Sequence, residues 1–184
     1  MQKKIQLPLN YEDINHLKAG DTVLLSGSLL TARDAAHKRL FEEMQNGLEL
    51  PVDLKSETIY YVGPAPAQQG AAIGPAGPTT SGRMDPYTRP LLELGVRGLI
   101  GKGYRNAEVK ADLIEHEAVY FAAVGGAAAL LARQIQSAEI VAYPDLGTEA
   151  IRRLVVQDFP VIVVNDCHGG DAYSAGRRQF QIHG

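Results

Sequence analysis

Residues 22–47 read TVLLSGSLLTARDAAHKRLFEEMQNG. The first nine are apolar or small and make a strand buried on both faces. From Arg33 onward the period changes. Leu40, Phe41 and Met44 form an apolar stripe at helical spacing, Asp34 stands where an N-cap is wanted, and Gly47 ends the helix. A strand that passes directly into a helix is the repeating step of an α/β chain.

The alternation continues on both sides. Residues 3–9 (KKIQLPL) read as an edge strand, and residues 11–21 (YEDINHLKAGD) as a short helix stopped at Gly20. Downstream, TIYYVG is a strand rich in β-formers. MDPYTRPLLELG is a helix with Asp85 as N-cap and Pro86 in its first turn. VRGLIGKG is a strand ending in a glycine-flanked lysine. RNAEVKADLIEH, AVYFAAV, GGAAALLARQI and SAEIVAY then read as helix, strand, helix, strand. Beyond them come a short helical turn and two apolar segments joined by QDFP. The tail CHGGDAYSAGRRQFQIHG takes no assignment. Between TIYYVG and MDPYT, residues 64–78 hold almost nothing that packs a core, and loops of that length inside compact domains are functional or disordered. Residues 1–184 therefore read as one α/β domain with a mixed sheet and flanking helices, and the residues around 64–83 as a long loop within it.

Composition narrows the function. Of 184 residues, 45% are hydrophobic and 21% charged, with a formal net charge of −3. No Lys/Arg run exceeds two residues, so the basic footprint of a nucleic-acid binder is missing. No apolar run approaches the ~18 residues of a membrane span. The single cysteine, Cys167, gives neither a disulfide framework nor a cysteine-based metal site, and Cys167–His168 is poor spacing for chelating one ion. Metal ligation by this chain is not expected. A cytoplasmic, reducing setting is.

Glycines 70, 74 and 77 fit neither G-x-G-x-x-G nor a Walker A loop. The chemistry sits elsewhere. Arg33 precedes one helix start and Arg83 another, and helix N-termini favour anions. An arginine there adds a planar fork matched to a carboxylate. Thr79, Thr80 and Ser81 offer hydroxyl donors just upstream of Arg83. Lys102 stands at a strand end between glycines, where open α/β sheets bind ligands. His37 lies one turn beyond Arg33 and shares its face. The residues fit two readings: a site for a small dianion, or ordinary solvated side chains beside turns. Asp166 and Asp171 read as turn residues.

Three stretches resemble a known family: SGSLLTARDAAHKRL, GPTTSGRMDPYTRPLLELGVRGLIGKG and LGTEAIRRLVVQDFPVIVVND. They are similar to the β subunit of two-subunit class I hydro-lyases, the iron–sulfur fumarases and L(+)-tartrate dehydratases. The same unit is the C-terminal domain of single-chain class I fumarases. The resemblance implies a swivelling β/β/α domain. It also implies a cysteine-bearing α subunit that holds a [4Fe–4S] cluster, in a heterodimer or an α2β2 assembly, and a small dicarboxylate substrate. It carries over Arg33, Arg83 and Lys102 as carboxylate-binding residues and Thr79 as an aid to proton transfer, which makes the loop around 64–83 an active-site loop. Thr79, Arg83 and Lys102 are then the catalytic candidates, and Arg33, joined by the neighbouring Thr80, Ser81 and His37, the substrate-binding ones. Fumarate to malate is the leading reaction. L(+)-tartrate dehydration and non-catalytic dicarboxylate binding are the alternatives, because NDCHGGD here departs from the DDKGND ending associated with fumarases.

Overall fold

The computed structural model describes residues 2–67, 69–123 and 128–180, with side chains through 177. In chain order the elements are β1 (Lys3–Gln6), α1 (Tyr11–His16), β2 (Thr22–Thr31), α2 (Asp34–Gln45) and β3 (Thr58–Tyr60). A 3-10 turn (Ser81–Met84) then runs into α3 (Asp85–Glu93), followed by β4 (Gly98–Gly101), α4 (Ala107–Glu115), β5 (Val119–Ala123) and α5 (Ala128–Arg133). Last come β6 (Ile135–Ala142), a second 3-10 segment (Pro144–Glu149), β7 (Ile151–Asn165) and α6 (Ala172–Phe180).

The sheet is mixed and seven-stranded, in the order β1-β2-β3-β4-β5-β7-β6. The first five strands run parallel, while β7 lies antiparallel to β5, β6 and β2. The β2–β7 pairing links the two ends of β2-β3-β4-β5-β7 and closes that ladder into a ring. Side-chain alternation then sorts the core into two clusters. Tyr60, Ile100 and Phe121 face Leu25, Leu154, Phe159 and Val161 of the antiparallel layer. Ile59, Leu99 and Tyr120 face Leu40 of α2, Leu91 of α3 and Leu113 of α4. The result is three layers, β/β/α. Each large apolar side chain so enclosed contributes roughly 1.5–3 kcal/mol.

The structure corrects several sequence expectations. Asp34 and Asp85 are each the first residue of their helix, and the N-cap positions belong to Arg33 and Met84. Their carboxylates are drawn instead to arginines. The two apolar segments around QDFP are one strand, β7, with Asp158 at φ 50° and Pro160 still opposite Leu24. Residues 64–78 are better packed than their composition implies. Ile73 and Ala76 lie in the core, and the Tyr60 hydroxyl donates to the Ala76 carbonyl (2.5 Å). The unassigned tail supplies a loop in which Asp166 accepts backbone N–H groups of Ala19, His168 and Gly170, and then α6. The helix expected from Gly125 is described from Ala128 on. Residues 125–127, like Val124 of the AVYFAAV strand and Gln68 of the loop, lie outside the described residues.

Candidate functional site

The carboxyl ends of β2, β3 and β4 lie side by side because these strands are parallel neighbours. Arg33 follows β2 and Lys102 follows β4. The chain returning from the long loop inserts between the β3 and β4 extensions. The Thr79 N–H donates to the Tyr61 carbonyl (2.7 Å), Lys102 N–H to the Thr79 carbonyl (3.2 Å), and Ser81 N–H to the Lys102 carbonyl (2.9 Å). Thr79–Thr80 is thus fixed between two strands by main-chain bonds. Two glycines leave room for side chains around it. A Cβ at Gly101 would collide with the Ser81 hydroxyl, and one at Gly63 would lie 2.9 Å from Arg33 Cδ.

Asp34 gathers the arginines. Arg83 donates through Nε to Oδ1 (2.9 Å) and through Nη2 to Oδ2 (3.0 Å), a two-point fork. Arg33 Nε donates to Oδ2 (3.2 Å) and lies 3.3 Å from Glu149 Oε1. Burial works to raise the Asp34 carboxyl, but the bonds from Arg83 and Arg33 outweigh it and hold the group below the usual carboxylate range. The α2 N-terminus expected to favour an external anion already has an internal one, since Glu149 Oε2 accepts from Ala35 N–H (2.6 Å). Lys102 is exposed, and its ammonium has no carboxylate partner among the described residues. The Thr79 hydroxyl, in a residue only 7% exposed, also lacks a partner there.

Beneath these groups lies a buried polar layer. Arg105 donates to Asp85 Oδ1 (2.6 Å), the Thr88 hydroxyl (2.6 Å) and the Tyr61 hydroxyl (3.2 Å). Its guanidinium also packs over Tyr61 and Tyr120. Burial opposes the charge, yet Tyr61 and Asp85 hold it. Asp85 Oδ2 accepts from Asn106 N–H (3.0 Å), so one carboxylate ties the start of α3 to the chain just after Lys102. Ser81 Oγ and Tyr120 OH are 2.9 Å apart, and Tyr120 donates to the Gly103 carbonyl (2.9 Å). His37 Nδ1 lies 2.9 Å from the Arg33 carbonyl, and its ring meets Tyr61 edge-on. Burial, with the Arg105 charge adding to it, drops the imidazole to about 4, so it is neutral at physiological pH.

The structure therefore brings Arg33, Thr79, Thr80, Arg83 and Lys102 to one end of the sheet. Ser81 and His37, assigned with them from sequence, lie in the core beneath: Ser81 is 0% exposed and His37 1%. Asp34, Glu149 and Arg105 escaped the sequence reading. Asp34 gave a signal, lying beside Arg33, but nothing local marks Glu149 or Arg105. α6 also approaches, with the Tyr173 ring tilted against Tyr104 at 4.7 Å between centroids and Arg177 over the Tyr104 ring. Among the described residues no three His, Cys, Asp or Glu side chains stand together as metal ligands, and no helix is long and apolar enough to cross a membrane.

Comparison with known proteins adds to this geometry. The family model described as fumarase C-terminus matches residues 1–176. Over 165 residues the chain is 39% identical to "Fumarate hydratase 2" of Leishmania major, covering 89% of this chain and 29% of that protein. "Fumarate hydratase class I, aerobic" of Escherichia coli K12 is 42% identical over 151 residues, 81% of this chain and 28% of its own length. The chain thus spans under a third of these hydratases. "Putative L(+)-tartrate dehydratase subunit beta" of Methanocaldococcus jannaschii is 37% identical over 171 residues, 90% of this chain and 88% of that subunit.

Proposed function

Because the chain belongs to the fumarase C-terminus family, we propose that it is the β subunit of a two-subunit hydro-lyase acting on a 2-hydroxy dicarboxylic acid, with fumarate and malate as the leading pair. The observation that carries this reading is the convergence of Arg33 and Arg83 on Asp34, at the strand ends where Lys102 has no carboxylate partner among the described residues. The rest of the active site is assigned to a cysteine-bearing α subunit, in a heterodimer or α2β2 assembly, that holds a [4Fe–4S] cluster. Cys167, the chain's one cysteine, does not fit such a group, and no step below passes through it. The assembly is placed in the cytoplasm, where Cys167 stays reduced.

Within that frame each residue has a task. Arg33, Arg83 and Lys102 grip the substrate carboxylates, and Thr80 adds a hydroxyl donor. Loss of a proton from carbon beside a carboxylate builds negative charge on that carboxylate, and fixed cations stabilise it as it grows. Thr79 takes part in the proton transfer, its backbone clamped by Tyr61 and Lys102 and its hydroxyl without a partner among the described residues. Ser81 and His37 support the loop and the Arg33 main chain rather than touching substrate.

Tartrate has a specific point in its favour. Of the three relatives named, the tartrate dehydratase subunit is the one matched over nearly its whole length. Co-purification from the native host, followed by anaerobic assay on malate, fumarate and L(+)-tartrate, tests both. The assembled enzyme turns over one of these and the isolated chain none. Tight dicarboxylate binding by the isolated chain, with no partner recovered, would instead make it a binding module.

A further inference from the structure

Two cations meant for a dicarboxylate are found on a carboxylate of the protein itself. Asp34 sets a negative charge beside Arg33 and Arg83, and on charge alone that weakens their hold on an anion. Stability does not account for the arrangement, because the Arg83 side chain is 51% exposed and that of Asp34 38%, and exposed pairs contribute little. The donor atoms do. Arg83 spends Nε and Nη2 on Asp34, which leaves Nη1 and the outer N–H of Nη2 without a partner among the described residues. Arg33 spends Nε on Asp34 and Glu149, and neither of its terminal nitrogens has a hydrogen-bond partner among the described residues. Each guanidinium is held by its inner edge and presents its outer one. A planar fork held in that way binds a second carboxylate with its orientation already set.

We infer that Asp34 is a positioning residue of the substrate site: its carboxylate fixes the Arg83 and Arg33 guanidinium planes so that their free Nη edges face the dicarboxylate. Glu149 completes the frame on Arg33 and ties it to the first turn of α2. The inference rests on the proposed function, in that the arginines must bind substrate. Asp34 touches no substrate itself.

Charge and positioning predict opposite signs, which makes the test decisive. In the assembled enzyme, Asp34→Asn removes the charge and keeps the side-chain shape. Positioning predicts a raised KM and a fall in kcat/KM of roughly 10- to 100-fold on malate, fumarate or L(+)-tartrate, whichever is turned over. Asp34→Glu, which keeps a carboxylate, recovers part of that loss. In an Arg83→Ala background the Asp34→Asn penalty shrinks, because the residue then has one arginine fewer to hold. If Asp34→Asn leaves kcat/KM unchanged or lowers KM while Arg83→Ala is damaging, the positioning role is overturned and the proposed function stands. If Arg83→Ala is itself silent, the carboxylate-binding reading fails first and the inference goes with it. Should Asp34→Asn fail to assemble, the comparison is made with Asp34→Glu, whose failure to retain more activity than Asp34→Ala also overturns the role.

Discussion

Asp34 and Asp85 occupy the same place in two helices, the first residue, and each takes an arginine from a distant part of the chain. Their surroundings set them apart. The Arg105 and Asp85 side chains are 0% and 9% exposed, while Arg83 and Asp34 are 51% and 38% exposed. Arg105 has its partners distributed around it, with a carboxylate, two hydroxyls and two aromatic faces, and its complete burial closes it off from a ligand. Among the described residues Arg83 has one partner, Asp34, and an open edge. One ion-pair chemistry thus serves two ends according to solvent access: the buried pair fixes the floor on which the exposed pair works.

The strongest way to break that contrast is to remove the buried arginine. Arg105→Met leaves Asp85 buried and unpaired, and should cost about 3–5 kcal/mol of unfolding free energy in urea denaturation. A loss comparable to that of an exposed pair would mean the floor tolerates an orphan charge.

Acid probes the same floor through His37. Its imidazole falls from 6.5 in the unfolded chain to about 4 in the folded one. Between those values the unfolded state binds more protons, so stability drops as pH falls from about 6.5 to 4, on the order of 3 kcal/mol in total. The measurement is unfolding free energy across that range for the native chain and for His37→Phe. The variant should lose that component of the pH dependence.

The exposed side gives smaller energies and a different readout. Arg83→Ala or Lys102→Ala in the assembled enzyme should lower kcat/KM roughly 10- to 150-fold, the equivalent of one hydrogen bond to a charged group in the transition state. Wild-type kinetics in either variant would remove that residue from the site. Smallest of all is the effect of Arg83→Ala on folding, expected to be under about 1 kcal/mol. A drop as large as that from Arg105→Met would erase the distinction between the two pairs.

The sequence carried the strand–helix alternation well, because TIYYVG, GLIG and VYFAA are short β-rich runs bounded by helical patterns. It split β7 in two because QDFP looks like a turn. Pairing with β2 overrides that local signal and carries Asp158 and Pro160 inside a single strand. Arg33, Arg83 and Lys102 stood out through helix starts and flanking glycines, which are local features. Ser81 and His37 read like their neighbours, and only the packing of Tyr120 and Tyr61 turns them inward. The misplaced caps have a similar origin, since Asp34 and Asp85 are claimed by Arg83 and Arg105, 49 and 20 residues away. Glu149 lies 114 residues from the Ala35 amide it bonds, a distance across which no local pattern gives warning.

The ring of strands bears on how the chain reaches its native state. Four strands can stack as they emerge, but β2 keeps a bare edge until β7, which pairs with it from Arg152 to Ile162, has been made. Closure joins segments more than a hundred residues apart, so its loop entropy falls late and on one step. Folding should therefore be rate-limited by the seating of β7, and a chain stalled before residue 151 would expose a sheet edge open to pairing with other molecules.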